Sequence, residues 1–181
     1  YPFQTKSGYI PDLVWNITKT SQAFAENALM AQFEYNKYKE TPKGGWPEVK
    51  KIKLLFGIHN HQPVGNFDHV FEQTFQKCYK PYFEVLRVHK SVKTAVHFSG
   101  PLLEWLKANH PDYLKMLRDM VAEGRLEILS GGFYEPLLPS LPDEDAIGQI
   151  KMMNEFIQHE FGAVPRGLWL AERIWMPNLP Q

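Results

Sequence analysis

Four short apolar runs alternate with longer stretches of helical periodicity, and this alternation is the strongest constraint on the fold. The runs lie at residues 52–58, 93–99, 125–132 and 167–171, and each has the length of a β-strand. Their middle positions are nearly all apolar, which is typical of strands that are covered on both faces. The pattern predicts an α/β protein with about four parallel strands, in an open doubly wound sheet or a barrel.

Three helices are predicted between the strands, at residues 68–90, 101–124 and 143–161. Pro81 is expected to kink or break the first helix, because proline cannot donate the usual backbone hydrogen bond. Pro111 divides the second helix, and Gly124 ends it. Three acidic residues open the last helix, where they favour the helix dipole.

The first 50 residues do not follow this alternation. Residues 19–39 are predicted to form a helix, and the proline- and glycine-containing stretch after them is a turn or linker. We therefore expect two parts: an extension of unknown role at 1–50, and an α/β domain at 51–181.

The composition excludes several classes of function. Lys plus Arg and Asp plus Glu both number 20, so no basic excess points to nucleic acid or to an anionic membrane. No apolar run reaches the roughly 18 residues of a membrane span, and no signal peptide is visible. Cys78 is the single cysteine, which excludes an internal disulfide. A cytoplasmic location is expected, and the initial tyrosine indicates processing or a piece of a longer chain.

Polar and ionisable side chains follow every predicted strand. In parallel α/β folds, functional sites gather at the carboxyl ends of the strands. The four ends carry His59-Asn60-His61-Gln62, His97-Phe98-Ser99-Gly100, Gly131-Gly132-Phe133-Tyr134-Glu135, and Glu172-Arg173-Ile174-Trp175. Four such ends on one rim of the sheet predict a site there.

His59 and His61 are expected to face one pocket, because alternate residues of an extended segment point the same way. They could bind a metal, donate hydrogen bonds to a ligand, or be structural histidines at a strand end. No acidic third ligand lies near them in sequence, although one could arrive from elsewhere in the fold, so we predict no metal and no cofactor.

Two glutamates are candidates for ligand contact. Glu135 follows a Gly-Gly pair that permits a tight backbone path, and a surface acid in a turn is the alternative interpretation. Glu172 ends the buried-looking run 167–171, where a carboxylate needs a partner from another loop. An ionised glutamate in such a pocket can attack a sugar's anomeric carbon, with Trp169 and Trp175 as stacking surfaces. A structural salt bridge is the alternative.

Four segments together resemble glycoside hydrolase family 57, and within it the 4-α-glucanotransferases and related α-amylases. They are FGIHNHQPVGNF, VHFSGPLLEWL, LEILSGGFYEPLLPSLP and GLWLAERIWMP, in the family's order and at similar spacing. The resemblance covers residues 52–181. It implies a (β/α)7 barrel that acts on α-1,4-glucans or malto-oligosaccharides with retention of configuration and without a metal.

The resemblance also assigns roles to individual residues. Glu172 matches the catalytic nucleophile. His61 matches a substrate-contacting histidine, with His59 and Gln62 beside it, and Glu135 and Trp169 match positions in the sugar site. Trp175 is expected to supply further stacking surface.

One departure from the family pattern is serious. The family's acid/base aspartate lies on a later strand, in a segment that this chain does not contain. The chain is therefore expected to be the first half of an incomplete barrel, inactive alone and completed by the remaining C-terminal part. Two rivals stay open: a metal-dependent polysaccharide deacetylase or mannosidase-like barrel that uses His59 and His61, and a glucan-binding fragment without catalysis.

Overall fold

A computed structural model describes residues 53–177 and residue 179. The extension predicted at 1–50, with its helix at 19–39, lies outside the described residues. Leu55–Gln73 and Leu86–Gln181 form one compact unit, and Thr74–Val85 belongs to another. The sheet and every candidate site residue belong to the first of these units.

Within residues 53–177 the sheet has three parallel strands, in the order β1 (Gly57–Asn60), β2 (Thr94–Phe98) and β3 (Leu126–Ile128). The register places His59 of β1 opposite His97 of β2. The predicted parallel α/β class is confirmed. The carboxyl ends of the strands therefore meet at one edge, as the sequence analysis requires.

The prediction of a fourth strand over residues 167–171 is wrong, because the segment pairs with β3's extension at a single residue. In the described part of the chain this run makes one parallel bridge, between Ser130 and Leu168, supported by backbone hydrogen bonds on either side of it. The pairing stops there because the chain after Leu170 enters a 3-10 turn at Ala171–Arg173, which ends the extended conformation. The first strand lies further along the chain than the predicted 52–58, since β1 begins at Gly57 and includes His59. The (β/α)7 barrel stays a prediction.

The first predicted helix is three consecutive pieces. It runs as α1 (Asp68–Thr74), a π-helical turn (Phe75–Tyr79) and α2 (Lys80–Val88). The Lys80 N–H bonds to the Phe75 carbonyl, five residues back, and Pro81 follows with no N–H to donate. A widened turn is one way in which a helix accommodates such a loss. The irregularity predicted at Pro81 therefore lies in the turn just before it.

The other two helical predictions are confirmed. α3 (Gly100–Asn109) and α4 (Pro111–Ala122) are separated at His110, and Gly124 follows with a φ of 68°. The third helix, α5 (Asp143–Phe161), ends at Gly162 in the left-handed conformation. None of the helices in residues 53–177 is long and apolar enough to cross a membrane.

The core of the larger unit lies between the sheet and the helices after β2. Val96, Phe98, Leu126 and Ile128 supply the buried apolar positions of the strands. The buried helical side chains come from one face of each of α3, α4 and α5, and include Leu102, Leu106, Leu117, Met153 and Ile157. This packing fixes β2 and β3, and with them the strand ends that carry the site.

We expect Gly100→Ala to lower the free energy of unfolding by about 1–3 kcal/mol, because overpacking a tight core costs this much. A Cβ at Gly100 would lie 2.3 Å from the Phe133 ring. Gly148→Ala is the matched control on α5, where nothing lies within 4 Å of the added atom. It should raise stability by about 0.5–1 kcal/mol. Urea unfolding of both variants tests this, and equal effects would contradict it.

A second prediction concerns Glu160, whose side chain is 7 % exposed and bonds Lys107 Nζ at 2.7 Å and His159 Nδ1 at 2.8 Å. Burial raises the pKa of Glu160, but the hydrogen bonds from Lys107 and His159 outweigh it and hold this pKa below its usual range. The carboxylate therefore stabilises the fold above the unfolded pKa, and this contribution disappears as pH falls through the folded pKa.

Glu160→Gln should therefore lower stability at neutral pH by about 1.5–3 kcal/mol, the range for hydrogen bonds to charged groups. It should also flatten the loss of stability in acid. Glu155→Gln, at an exposed position of the same helix, is the control. Denaturation followed from pH 7 to pH 3 measures both. An unchanged acid slope in Glu160→Gln would contradict the prediction.

Candidate active site

Two neighbouring strands bring His59 and His97 together at the edge of the sheet. Their rings stack with centroids 5.1 Å apart, and their Nδ1 atoms lie 3.0 Å from each other, within hydrogen-bond distance. His97 is completely buried, whereas the His59 side chain is 27 % exposed. His61 follows two residues after His59, with a ring centroid 5.8 Å away and a side chain that is 42 % exposed. The predicted common direction of His59 and His61 is confirmed.

The segment that carries His61 is fastened to the end of β2. The Gln62 N–H donates to Ser99 Oγ at 3.0 Å, and the Ser99 hydroxyl donates to the Gln62 carbonyl at 3.0 Å. Asn66 Nδ2 donates to the Gln62 side-chain carbonyl at 2.7 Å. Gln62 is buried, so in this structure it holds the loop in place. Its predicted contact with substrate stays a prediction.

Glu135 reaches all three histidines. Its Oε1 lies 3.4 Å from His59 Nε2 and 3.2 Å from His97 Nδ1, and its Oε2 contacts His61 Nδ1. Only 8 % of the Glu135 side chain is exposed. Glu135 is therefore no surface acid in a turn. We call these four residues, His59, His61, His97 and Glu135, the histidine–carboxylate cluster.

Glycine and an unusual backbone conformation make the position of Glu135 possible. A Cβ at Gly131 would lie 2.5 Å from His97 Nε2, so only glycine lets the loop pass over this ring. Glu135 itself has a φ of 53°, in the left-handed region that non-glycine residues rarely occupy. Such a conformation costs about 1–3 kcal/mol and persists only where the surroundings enforce it.

The cluster combines a buried carboxylate anion with a neutral histidine. Burial opposes ionisation of Glu135, but the polar contact with His97 and the nearby histidines outweigh it and hold the pKa of Glu135 below its usual range. Burial lowers the pKa of His59, which the charge of Glu135 only partly offsets. The cluster therefore presents a carboxylate and an uncharged imidazole near pH 7.

The cluster also has the composition of a metal site. One ligand atom from each of His59, His61 and Glu135 lies within 4.8 Å of the others. The sequence near the two histidines contains no acid, and the fold brings Glu135 to them from the loop after β3. Whether a metal binds is a separate question.

The indole of Trp169 covers one side of the cluster. It stacks on the His59 ring with centroids 4.7 Å apart and an angle of 11° between the planes. The backbone N–H of Trp169 donates to the Ser130 carbonyl at 2.7 Å, which fixes it beside β3. Trp175 has a largely exposed side chain, and the structure records no ring contact between it and the cluster in residues 53–177.

Glu172 differs from its prediction. It is exposed rather than buried, and no ion pair of its carboxylate is found among the described residues. Glu172 and Arg173 have φ values of 53° and 57°, so the chain turns sharply there instead of continuing as a strand. The charge of Glu172 favours the protonated form of His59, although less than the charge of Glu135 does.

Sequence reasoning left His97 out of the list of site residues. Its position at the carboxyl end of β2 was a usable signal, but a histidine inside an apolar strand is easily taken for part of the core. The contacts of His97 became visible only in the structure: the strand register places it opposite His59, and the loop after β3 brings the Glu135 carboxylate to it.

Comparisons with known proteins agree with this architecture. The family model described as glycosyl hydrolase family 57 matches residues 55–181. An α-amylase of Pyrococcus furiosus is 51 % identical over 129 residues, which is 71 % of this chain and 20 % of that protein. A 4-α-glucanotransferase of Thermococcus litoralis is 47 % identical over 131 residues, covering 72 % and 20 %. A crystal structure of that 4-α-glucanotransferase matches with a TM-score of 0.67 and 49 % identity, over 69 % of this chain and 20 % of that one.

The fold and the cluster define an α/β protein with a polar site at the ends of its parallel strands. The chain belongs to glycoside hydrolase family 57, which confirms the resemblance seen in the four segments. It spans about a fifth of the length of the curated relatives that it matches.

The electrostatics of the cluster lead to a direct prediction. Glu135→Gln should lower the pKa of His59 further, because it removes the negative charge that favours the imidazolium. Glu172→Gln should lower it less, since Glu172 makes the smaller contribution. Histidine ring titration by NMR measures both shifts. A His59 pKa that rises in Glu135→Gln, or that falls more in Glu172→Gln, would contradict this account.

Proposed function

We propose that this chain supplies part of the active site of a retaining enzyme that acts on α-1,4-glucosidic bonds, of the 4-α-glucanotransferase or α-amylase type. The observation that carries the proposal is the histidine–carboxylate cluster stacked against Trp169 at the strand ends. Relatives named α-amylase and 4-α-glucanotransferase, each about half identical over the matched residues, support the substrate class.

The chemistry of the cluster suits a polyhydroxylated ring. The Glu135 carboxylate accepts hydrogen bonds from sugar hydroxyls, and His59 and His61 exchange hydrogen bonds with them. Trp169 offers an apolar face on which the carbon–hydrogen face of a pyranose can pack. Gln62 and Trp175 belong to the same proposal as further contacts.

In the proposed reaction Glu172 is the nucleophile. Its carboxylate forms a bond to the anomeric carbon while the glucosidic C–O bond breaks, and the leaving oxygen takes a proton from an acid. The family resemblance places that acid on an aspartate outside these 181 residues. The same group then takes a proton from water or from a sugar hydroxyl. The oxygen of that acceptor bonds to the anomeric carbon as the bond to Glu172 breaks, which gives hydrolysis or transfer and frees the carboxylate. The exposure of Glu172 leaves its carboxylate open to a substrate.

The test is covalent trapping on the full-length protein with a fluorinated α-glucosyl fluoride. The bond from Glu172 to the anomeric carbon forms as the C–F bond breaks, and fluoride leaves without needing a proton. We expect a sugar adduct on the peptide that contains Glu172, located by mass spectrometry. Glu172→Gln should remove the adduct and reduce turnover of malto-oligosaccharide by about 10⁶-fold, as removal of a nucleophile does elsewhere.

Glu155→Gln is the matched control, because it makes the same chemical change at an exposed position of α5. It should leave both trapping and turnover unchanged. An adduct on a different carboxylate, or full turnover in Glu172→Gln, would remove Glu172 from the role of nucleophile.

A further inference from the structure

We propose that His59, His61 and Glu135 form a binding site for a divalent transition-metal ion such as Zn²⁺, and that metal and sugar exclude each other there. The mutual exclusion rests on the proposed function, whereas the metal site itself does not. The site would regulate access to the active site and would take no part in the reaction.

The donor set and its spacing fit such an ion. Two imidazoles and a carboxylate are common ligands of zinc, at distances of about 2.0–2.2 Å. Tetrahedral donors at these distances lie roughly 3.3–3.5 Å apart. His59 Nε2 and Glu135 Oε1 are 3.4 Å apart, and one donor atom from each of the three residues lies within 4.8 Å of the others.

The carboxylate at this position has capacity for a further ligand. Glu135 Oε1 is buried and has histidine nitrogens at 3.2 and 3.4 Å, yet it makes no well-directed hydrogen bond within the described residues. A buried carboxylate oxygen usually has a partner, so each exception needs an explanation. A cation between His59, His61 and Glu135 would give this oxygen a ligand bond in addition to its contacts with the two histidines.

His97 supplies the outer support that metal-binding histidines normally have. Such histidines use one ring nitrogen for the metal and the other for a hydrogen bond that sets the ring's orientation. His59 Nδ1 lies 3.0 Å from His97 Nδ1, which leaves His59 Nε2 for the metal. His97 is completely buried, so this orientation is held by the core.

Three protein ligands leave a fourth position for water on the exposed side of His61. A metal held there uses the same nitrogen and oxygen lone pairs that the proposed function assigns to sugar hydroxyls. Metal binding should therefore raise the apparent KM for malto-oligosaccharide and leave kcat unchanged. Removal of metal by a chelator should leave turnover intact.

The experiment measures binding of Zn²⁺ by calorimetry and of Co²⁺ by its visible absorption, on chelator-treated full-length protein. We expect one ion per chain. His61→Asn and Glu135→Gln should each weaken binding by about 100-fold or more, since even outer partners of a metal site are worth 10–100-fold. His61 is half exposed, so its variant should remain folded, which thermal unfolding checks. His89→Gln is the control, because it removes an imidazole from the segment before β2, and it should bind normally.

The outcomes separate the metal site from the proposed function. Binding that is lost in His61→Asn, together with competitive inhibition of glucan turnover, supports the whole proposal. The same loss in a protein without glucan turnover supports the metal site and overturns the proposed function. Absent binding, or binding indifferent to His61→Asn and Glu135→Gln, overturns the metal site. Turnover abolished by a chelator overturns the inhibitory role and makes the metal a cofactor.

Discussion

The buried carboxylate of Glu135 is the constraint on which the arrangement of the strand ends depends. An unpaired charge of this kind would be strongly destabilising. Histidines from β1, β2 and the loop after β1 stabilise this charge. They come within reach of it only if the strands keep their register. Sheet pairing and the electrostatics of the site are therefore two aspects of one arrangement.

Backbone strain is concentrated at the same edge of the sheet. The non-glycine residues with positive φ in the described part of the chain are Glu135, Glu172 and Arg173. Two of them are the carboxylates that the sequence analysis singled out. Strained conformations often occur at functional sites, where the surrounding packing enforces a geometry that the residue alone would not adopt. The strain at Glu172 supports its place in the proposed function, even though its side chain is exposed.

Sequence reasoning succeeded where the signals were local. Pro111 separates α3 from α4, Gly124 follows the end of α4, and Gly162 ends α5, because proline and glycine impose their backbone preferences in almost any context. It failed where pairing depends on distant residues. The run 167–171 is apolar enough for a strand, but Ser130 offers it a single bridge.

The sequence by itself determined the parallel α/β class, the family, and the placement of polar residues at strand ends, because periodicity and motif spacing are properties of the chain alone. The tertiary structure decided which of those residues meet. Glu135 joins His59 and His61 across about 75 positions of chain, and His97 enters by register with β1. No sequence pattern specifies such contacts, because they arise from the packing of whole strands. The same packing leaves Glu172 exposed, although the sequence predicted a buried carboxylate there.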